Sequence, residues 1–166
     1  DVYLGEGVVL EPGCFVRGPA LLLDGAQVRH GAYIRGQVVV GPGATVGHCS
    51  ELKHSILLAG AAAPHFNYVG DSILGARVNL GAGTVLSNLK LRGATVRVRL
   101  EGRCYDTGLR KLGAILGDDT QTGCHTVLNP GTLAGPGSLF YPQANAVGYF
   151  APRSLVRTAV TMGGRD

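Results

Sequence analysis

The stretch Ile34-Arg-Gly-Gln-Val-Val-Val40-Gly-Pro-Gly-Ala-Thr-Val46-Gly-His-Cys-Ser-Glu-Leu52 places an aliphatic residue at every sixth position. The same step of six falls on aliphatic residues from the start of the chain as far as Leu58, at Leu4, Leu10, Val16, Leu22 and Val28. The residue four positions after each of these is usually small, as at Cys14, Ala20, Ala26, Ala32, Ala44 and Ser50. An amphipathic helix would instead repeat its apolar residues every three or four positions, and 27 glycines in 166 residues disfavour long helices.

A strict period of six predicts a short strand and a turn in each repeat, with three repeats closing one triangular coil. The aliphatic residues then point inward and stack between coils, while small residues and glycine fit the tight corners. Each coil buries its inner face only against its neighbours, so stability is nearly one-dimensional. The sequence therefore predicts an all-β fold, a left-handed parallel β-helix of hexapeptide repeats, which is an exception to the usual right-handed crossover.

Two interruptions of the period are predicted. The first is a short excursion over residues 59–64, after which the inward positions resume at Tyr68. The second is a projecting arm over about residues 91–111, where Thr95-Val-Arg-Val-Arg-Leu100 alternates like an exposed strand. Long insertions of this kind in compact domains are usually functional.

The period returns after the arm, from Leu116 to Phe140, and then fades. We therefore assign residues 1–148 to the β-helix and residues 149–166 to a C-terminal cap and tail.

Composition narrows the classes of partner. The formal net charge of +4 comes without a block of like charge, so a nucleic acid is not expected and an anionic small molecule fits better. Four cysteines without a C-x-x-C pair predict free thiols in a reducing cytoplasm. No apolar stretch approaches the ~20 residues that cross a bilayer, so no membrane partner is expected.

The segment Pro64-His-Phe-Asn-Tyr-Val-Gly-Asp71 comes nearest to a catalytic motif. A neutral imidazole accepts a proton at physiological pH, so His65 is a candidate general base. The alternative is a corner histidine that bonds the backbone, and the residues alone leave both interpretations open.

Several stretches outside the simple period are distinctive: Glu51-Leu-Lys-His-Ser55, His65-Phe-Asn-Tyr-Val-Gly-Asp71, Val78-Asn-Leu-Gly-Ala-Gly-Thr84, Ser87-Asn88 and Asp106-Thr-Gly-Leu-Arg-Lys-Leu-Gly-Ala-Ile-Leu-Gly-Asp118. Together they resemble the acetyltransferase domain of bifunctional N-acetylglucosamine-1-phosphate uridyltransferases. They are also similar to archaeal-type sugar-1-phosphate nucleotidylyltransferases that carry the same β-helix, and the last stretch resembles this branch most.

The resemblance implies an acetyl-CoA-dependent N-acetyltransferase that acts on an amino-sugar 1-phosphate such as glucosamine 1-phosphate. It implies a homotrimer in which three subunits build each site, and no metal for acetyl transfer. The implied catalytic group comprises the general base His65 with Tyr68, Asn79 and Asn88. The implied cations for the sugar phosphate are Arg35, Lys53 and Lys111. The implied contacts to acetyl-CoA are Ala82, Cys124 and Arg157.

Two other functions stay open. A γ-class carbonic anhydrase would need three histidines on zinc; His48 and His54, six residues apart, are expected to stack at one corner, but a third ligand is not evident. The other is a non-catalytic oligomerisation or regulatory β-helix of a sugar-1-phosphate nucleotidylyltransferase. No stretch resembles the nucleotidylyltransferase domain itself, so the chain is not expected to make nucleotide sugars alone. Arg35 and Lys53, eighteen residues apart, are expected to stack on adjacent coils and hold a phosphate.

Overall fold

The computed structural model describes residues 1–157, and this part of the chain contains twenty-five strands and no helix. All but two of the strands belong to three parallel sheets of eight, eight and seven strands. Successive strands enter sheets A, B and C in turn, so the chain winds as a triangular coil. The predicted left-handed parallel β-helix is confirmed.

Sheet A contains β1 (Val2–Leu4), β4 (Ala20–Leu22), β7 (Val38–Val40), β10 (Ser55–Leu57), β13 (Ile73–Leu74), β18 (Ala114–Leu116), β21 (Thr132–Ala134) and β24 (Tyr149–Phe150). Sheet B contains β2 (Val9–Leu10), β5 (Gln27–Val28), β8 (Thr45–His48), β11 (Ala62–His65), β14 (Asn79–Leu80), β19 (Gln121–Thr122), β22 (Leu139–Phe140) and β25 (Leu155–Val156). Sheet C contains β3 (Phe15–Val16), β6 (Tyr33–Ile34), β9 (Glu51–Lys53), β12 (Tyr68–Gly70), β15 (Val85–Leu86), β20 (Val127–Leu128) and β23 (Asn145–Ala146). The corners between them are named A–B, B–C and C–A, after the sheets that they join.

The core is the single column of inward side chains that the period predicts. Leu22, Val28, Ile34, Val40, Val46 and Leu52 are all fully buried. Alanines close the corners of the first coils, and in the later coils threonine or serine takes their place. These hydroxyls are satisfied locally, since Thr120 Oγ1 donates to the Gly117 carbonyl at 2.7 Å and Thr126 Oγ1 to the Gly123 carbonyl at 2.8 Å. A buried hydroxyl therefore replaces a methyl group without leaving an unpaired polar atom.

The register between residues 52 and 74 differs from the prediction. Leu57 is fully buried while Leu58 is 44% exposed, and Val69 rather than Tyr68 points inward. The coils here advance by seventeen residues instead of eighteen, as in the pairing of Glu51 with Tyr68.

Each of these coils is one residue shorter, and the shortening lies at the C–A corner. The inward positions Leu52 and Leu57 are only five residues apart, and so are Val69 and Leu74. The predicted excursion over residues 59–64 is therefore wrong, because Ala62–His65 is strand β11 and pairs in register with β8. The adjacent leucines Leu57 and Leu58 allowed both registers to fit the sequence.

The arm is confirmed as an insertion between β15 and β18. It contains the antiparallel hairpin of β16 (Arg97–Leu100) and β17 (Arg103–Asp106). Val96 is fully buried, and a Cβ on Gly131 would come within 2.8 Å of Val96 Cγ1. The arm is thus packed against the later coils through its valines.

The β-helix continues past residue 148, where the sequence placed the start of a cap. Strands β24 and β25 extend sheets A and B, in register with β21 and β22. Residues 158–166 of the predicted tail lie outside the described residues. Within residues 1–157, no helix is long and apolar enough to cross a membrane.

Candidate active site

The two shortened C–A corners bring a set of polar side chains together around Asp71. The Asp71 side chain is 7% exposed, and its Oδ1 accepts hydrogen bonds from Lys53 Nζ at 3.1 Å and His54 Nδ1 at 2.8 Å. Its Oδ2 accepts a short hydrogen bond from Asn88 Nδ2, which also donates to the Tyr68 hydroxyl at 3.2 Å. We name these five residues the Asp71 hub.

The backbone explains why the hub forms at this corner. His54 and Asp71 both have left-handed conformations, with φ of 50° and 47°, which are uncommon for residues other than glycine. The Asp71 N–H donates to the Lys53 carbonyl at 2.9 Å, so the second shortened corner stacks directly on the first. Removing one residue from each corner thus places the carboxylate of one coil beside the lysine and the histidine of the coil before it.

Burial of Asp71 opposes its charged form, but the hydrogen bonds from His54, Asn88 and Lys53 outweigh this effect. The pKa of Asp71 therefore lies below its ordinary value. The hub holds an ionised carboxylate at neutral pH, and this carboxylate fixes the positions of an amide, an ammonium and an imidazole.

The expected stack of Arg35 and Lys53 is confirmed. Both side chains line one cavity of about 330 Å³ together with Arg17, a third cation one coil further towards the N-terminus. Each of the two predicted residues has its own carboxylate, since Arg35 Nη1 lies 2.7 Å from Glu51 Oε1 and Lys53 binds Asp71. These two ion pairs explain how cations of adjacent coils can lie in one groove without a bound anion.

Lys111 reaches the same corner from the base of the arm, where it forms an isolated bridge with Leu89. It lines a second cavity of about 330 Å³ together with His54 and Asp71. Three of the implied site residues, Tyr68, Asn88 and Lys53, therefore belong to the hub, and Lys111 is its neighbour.

His65 lies at the other edge of sheet C, at the B–C corner. Its side chain is exposed, and within residues 1–157 it has no hydrogen-bond partner. Its carbonyl accepts from the Gly83 N–H at 3.0 Å, and the Ala82 carbonyl accepts from the His125 N–H at 2.8 Å. The implied base and the implied acetyl-CoA contacts Ala82 and Cys124 therefore follow one another along a single edge of the helix.

The buried Asn67 holds this edge in place. It occupies an inward corner position that holds a small residue in neighbouring coils, such as Ala32 and Ser50, and its Oδ1 accepts from the His65 N–H at 3.0 Å. Its Nδ2 donates to the Gly81 carbonyl at 2.8 Å, and its N–H donates to Ser50 Oγ at 3.1 Å. The backbone that carries the imidazole is thus fixed, while the imidazole itself stays free.

Arg157 extends the same edge towards the C-terminus. Its guanidinium lies 4.6 Å from the centre of the Tyr141 ring, and its Nη2 lies 3.3 Å from the Tyr141 hydroxyl. Asn79, by contrast, lies in β14 between Ala62 and Gln121 and takes part in neither the hub nor the His65 edge. The chain therefore groups the predicted site residues at two separate corners, with Asn79 apart from both.

The predicted stacking of His48 on His54 is wrong. His48 stacks on His30, with ring centres 5.7 Å apart, because one complete coil separates those two residues. His54 lies at a different corner and binds Asp71. Within residues 1–157, no three residues among histidine, cysteine, aspartate and glutamate lie together as metal ligands.

Asn67 and Asp71 lie inside the distinctive motifs of the sequence, but no role was predicted for them, and His54 was considered only as a zinc ligand. The signal that could have found the hub was the pair of five-residue steps that precede Leu57 and Leu74. The four cysteines are free, as predicted.

Comparisons with known proteins give one matching family model and several similar sequences. A family model described as GMPPB C-terminal domain matches residues 16–136. A bifunctional sugar-1-phosphate nucleotidylyltransferase/acetyltransferase of Sulfurisphaera tokodaii is 39% identical over 94 residues, which cover 57% of this chain and 23% of that protein. A bifunctional protein GlmU of Methanococcus maripaludis is 43% identical over 90 residues, which cover 54% of this chain and 22% of that protein. The chain thus spans under a quarter of the length of these relatives.

Among solved structures, an Arabidopsis UDP-N-acetylglucosamine acyltransferase is 12% identical with a TM-score of 0.49, over 93% of this chain and 66% of that chain. The acetyltransferase domain of PglB from Neisseria gonorrhoeae is 16% identical with a TM-score of 0.45, over 87% of this chain and 51% of that chain.

Proposed function

The chain belongs to the GMPPB C-terminal domain family, and from this premise we propose that it transfers an acetyl group from acetyl-CoA to the amine of an amino-sugar 1-phosphate. Glucosamine 1-phosphate is the first substrate to test. A relative whose name combines nucleotidylyltransferase and acetyltransferase activities supports the reaction class. A cytoplasmic location stays a prediction.

The observation that carries the proposal is that the two edges of sheet C present different chemical groups. The hub edge offers Arg35, Lys53 and Lys111 to a dianionic phosphate, and arginine binds phosphate through a planar fork of donors. The other edge offers an imidazole that has no hydrogen-bond partner within residues 1–157, beside the backbone of Ala82 and Cys124. One edge suits an anionic sugar, and the other suits proton transfer.

In the proposed reaction the amine nitrogen attacks the thioester carbonyl carbon. The new C–N bond forms as the C–S bond breaks, and His65 takes the proton that the amine loses. That proton passes to the departing thiolate, so the products are the N-acetylated sugar phosphate and CoA. A base that acts in this way usually contributes ~10²–10⁴ in rate, and holding both reactants in place contributes further.

We propose that a homotrimer completes the site by setting the His65 edge of one copy against the hub of a neighbour. Outward residues of sheet A support self-association because they are apolar in all eight strands: Tyr3, Leu21, Val39, Ile56, Ile73, Ile115, Leu133 and Tyr149. Apolar patches of this extent usually mark an interaction surface. Light scattering should report three copies, and Ile73→Lys should dissociate them while Gln121→Lys on sheet B should not.

The reaction is tested by incubating the protein with acetyl-CoA and a panel of amino-sugar 1-phosphates. Because Cys49, Cys104 and Cys124 are exposed and react with thiol reagents, the acetylated product should be measured by mass spectrometry. We expect product from an amino-sugar 1-phosphate and at least tenfold less from the free amino sugar. Equal product from both would remove the phosphate site. Failure to form product from any member of the panel would contradict the proposed reaction and favour a non-catalytic β-helix.

A further inference from the structure

The positive charge of the chain is concentrated on the arm. Residues 90–111 hold seven of the fifteen lysines and arginines but only two of the eleven acidic residues. The rest of the chain therefore has eight cations and nine acids, a small negative balance. A surface with this asymmetry attracts anions to one place.

The fold directs part of that charge into a cleft between the arm and the later coils. Lys90, Arg97 and Arg99 line a cavity of about 400 Å³, which is closed on its other side by Gly131, Val147 and Gly148. Arg97 and Arg99 share one face of β16 because side chains alternate along a strand. The arm is packed through Val96, so the cleft has a fixed shape.

The cleft has more cations than carboxylates. Arg97 Nε lies 3.4 Å from Asp106 Oδ2, whereas Arg99 and Lys90 have no ion pair in the part of the chain that the structure describes. Lys90 Nζ donates to the Thr95 carbonyl at 3.2 Å, which holds the ammonium at the rim. An anion in the cleft would therefore meet two charges that are not neutralised.

An apolar cavity of about 560 Å³ adjoins the cationic cleft, and Lys90 and Val147 line both. Its walls include Leu89, Leu91, Ala94 and Pro130, and the polar residues Ser87, Arg92 and Asn129 line it as well. This size suits one ring system of a small ligand. Polar side chains among apolar walls favour a ring with hydrogen-bonding edges over an acyl chain.

We propose that the arm cleft binds a nucleotide with at least two phosphates, the phosphates lying on Arg97, Arg99 and Lys90 and the base in the apolar cavity. Two sources share this chemistry: a free nucleoside diphosphate and the nucleotide end of CoA. Only the second source rests on the proposed acetyl transfer. The binding itself is measurable without any reaction.

Isothermal titration calorimetry of the full chain with ADP tests the proposal. We expect Arg99→Gln to weaken ADP binding at least tenfold, as for the loss of a charge-assisted contact. Arg103→Gln is the matched control, because Arg103 pairs with Leu100 on the same hairpin but does not line the cleft. The control should change affinity less than twofold, and higher salt should weaken binding to the parent.

A second variant, Arg97→Gln, removes another cleft charge, so that the test does not depend on the folding of one variant. Thermal melts of both variants should match the parent within a few degrees. Competition then identifies the source: CoA that displaces ADP assigns the cleft to CoA, while simultaneous binding of both assigns it to a free nucleotide. No ADP binding at millimolar concentration would overturn the proposal. Equal affinity of the parent and both variants would also overturn it.

Discussion

The two edges of sheet C are built from the same repeat but are organised in opposite ways. At the C–A corner, the carboxylate of Asp71 fixes Lys53, His54 and Asn88. At the B–C corner, the imidazole of His65 has no side-chain partner among the residues that the structure describes, and its backbone is held by Asn67. The first edge is therefore preorganised, as the proposed binding of a sugar phosphate requires. The second leaves a group free to exchange a proton.

Removing the free imidazole should have the largest effect on catalysis. We expect His65→Ala to lower kcat by ~10²–10⁴, the usual contribution of a general base. The melting temperature should hardly change, because the side chain makes no hydrogen bond within the described residues. Steady-state kinetics check the fall in kcat, and a thermal melt of the same preparation checks that the melting temperature is unchanged. Activity within a few-fold of the parent would show that His65 is only a corner residue.

Removing a cation from the opposite edge should alter substrate affinity instead. We expect Arg35→Ala and Lys53→Ala each to raise KM for the sugar 1-phosphate at least tenfold, since a charge-assisted contact contributes ~1.5–3 kcal/mol. KM for acetyl-CoA should stay within twofold. Arg77→Ala is a matched control, because Arg77 also forms an ion pair, with Asp119, but lies away from the groove. Equal effects of all three changes would argue against a phosphate site.

Neutralising the centre of the hub should reduce stability as well as affinity. We expect Asp71→Asn to lower the free energy of unfolding by about 1–3 kcal/mol at pH 7, since Lys53 and His54 lose their anionic partner. The folded-state pKa of Asp71 is depressed, so this stability is present above the unfolded pKa and is lost as pH falls through the folded pKa.

Chemical denaturation at neutral pH and at a series of acid pH values measures this difference. The difference in unfolding free energy between parent and variant should shrink as the pH falls through the folded-state pKa of Asp71. The carboxyl group of the parent is then uncharged, like the amide of the variant. A gap that stays constant would mean that the charge of Asp71 is not what stabilises the corner.

The smallest effect is expected from Asn67, which holds the backbone of His65. We expect Asn67→Ala to lower stability by about 1 kcal/mol, because alanine fits the corner but the hydrogen bonds to His65 and Gly81 are lost. The backbone of His65 should loosen, so kcat should fall several-fold while KM for the sugar phosphate is unchanged. Ser50→Ala removes a different bond to Asn67 and serves as the control.

The regular coils were predictable from sequence because their inward positions repeat every six residues without ambiguity. The shortened corners were not, since the pair Leu57 and Leu58 satisfies both a six-residue and a five-residue step. That ambiguity concealed the hub, whose members come together only when the coil advances by seventeen residues. The groups on each edge were therefore foreseeable, but the carboxylate at Asp71 that organises one of them was not.

The resemblance to known families supplied most of the candidate site residues, yet it did not indicate their distribution over two edges. His65 and Tyr68 are three residues apart in sequence, but the His65 side chain lies at the B–C corner, whereas the Tyr68 hydroxyl reaches Asn88 at the C–A corner. Spacing along the chain is thus a poor guide to proximity in a solenoid, where residues one complete coil apart are the neighbours.

The most direct test of the account is complementation between two inactive variants. His65→Ala and Asn88→Ala should each be inactive alone, because one lacks the base and the other lacks a hub residue. If neighbouring copies share each site, co-expressed chains form mixed trimers, some of whose sites combine an intact His65 from one copy with an intact Asn88 from another. Acetylated product from the mixed trimers, at a substantial fraction of the parent rate, is the predicted result. Mixed trimers that stay as inactive as either variant would place each site within a single chain and contradict the account.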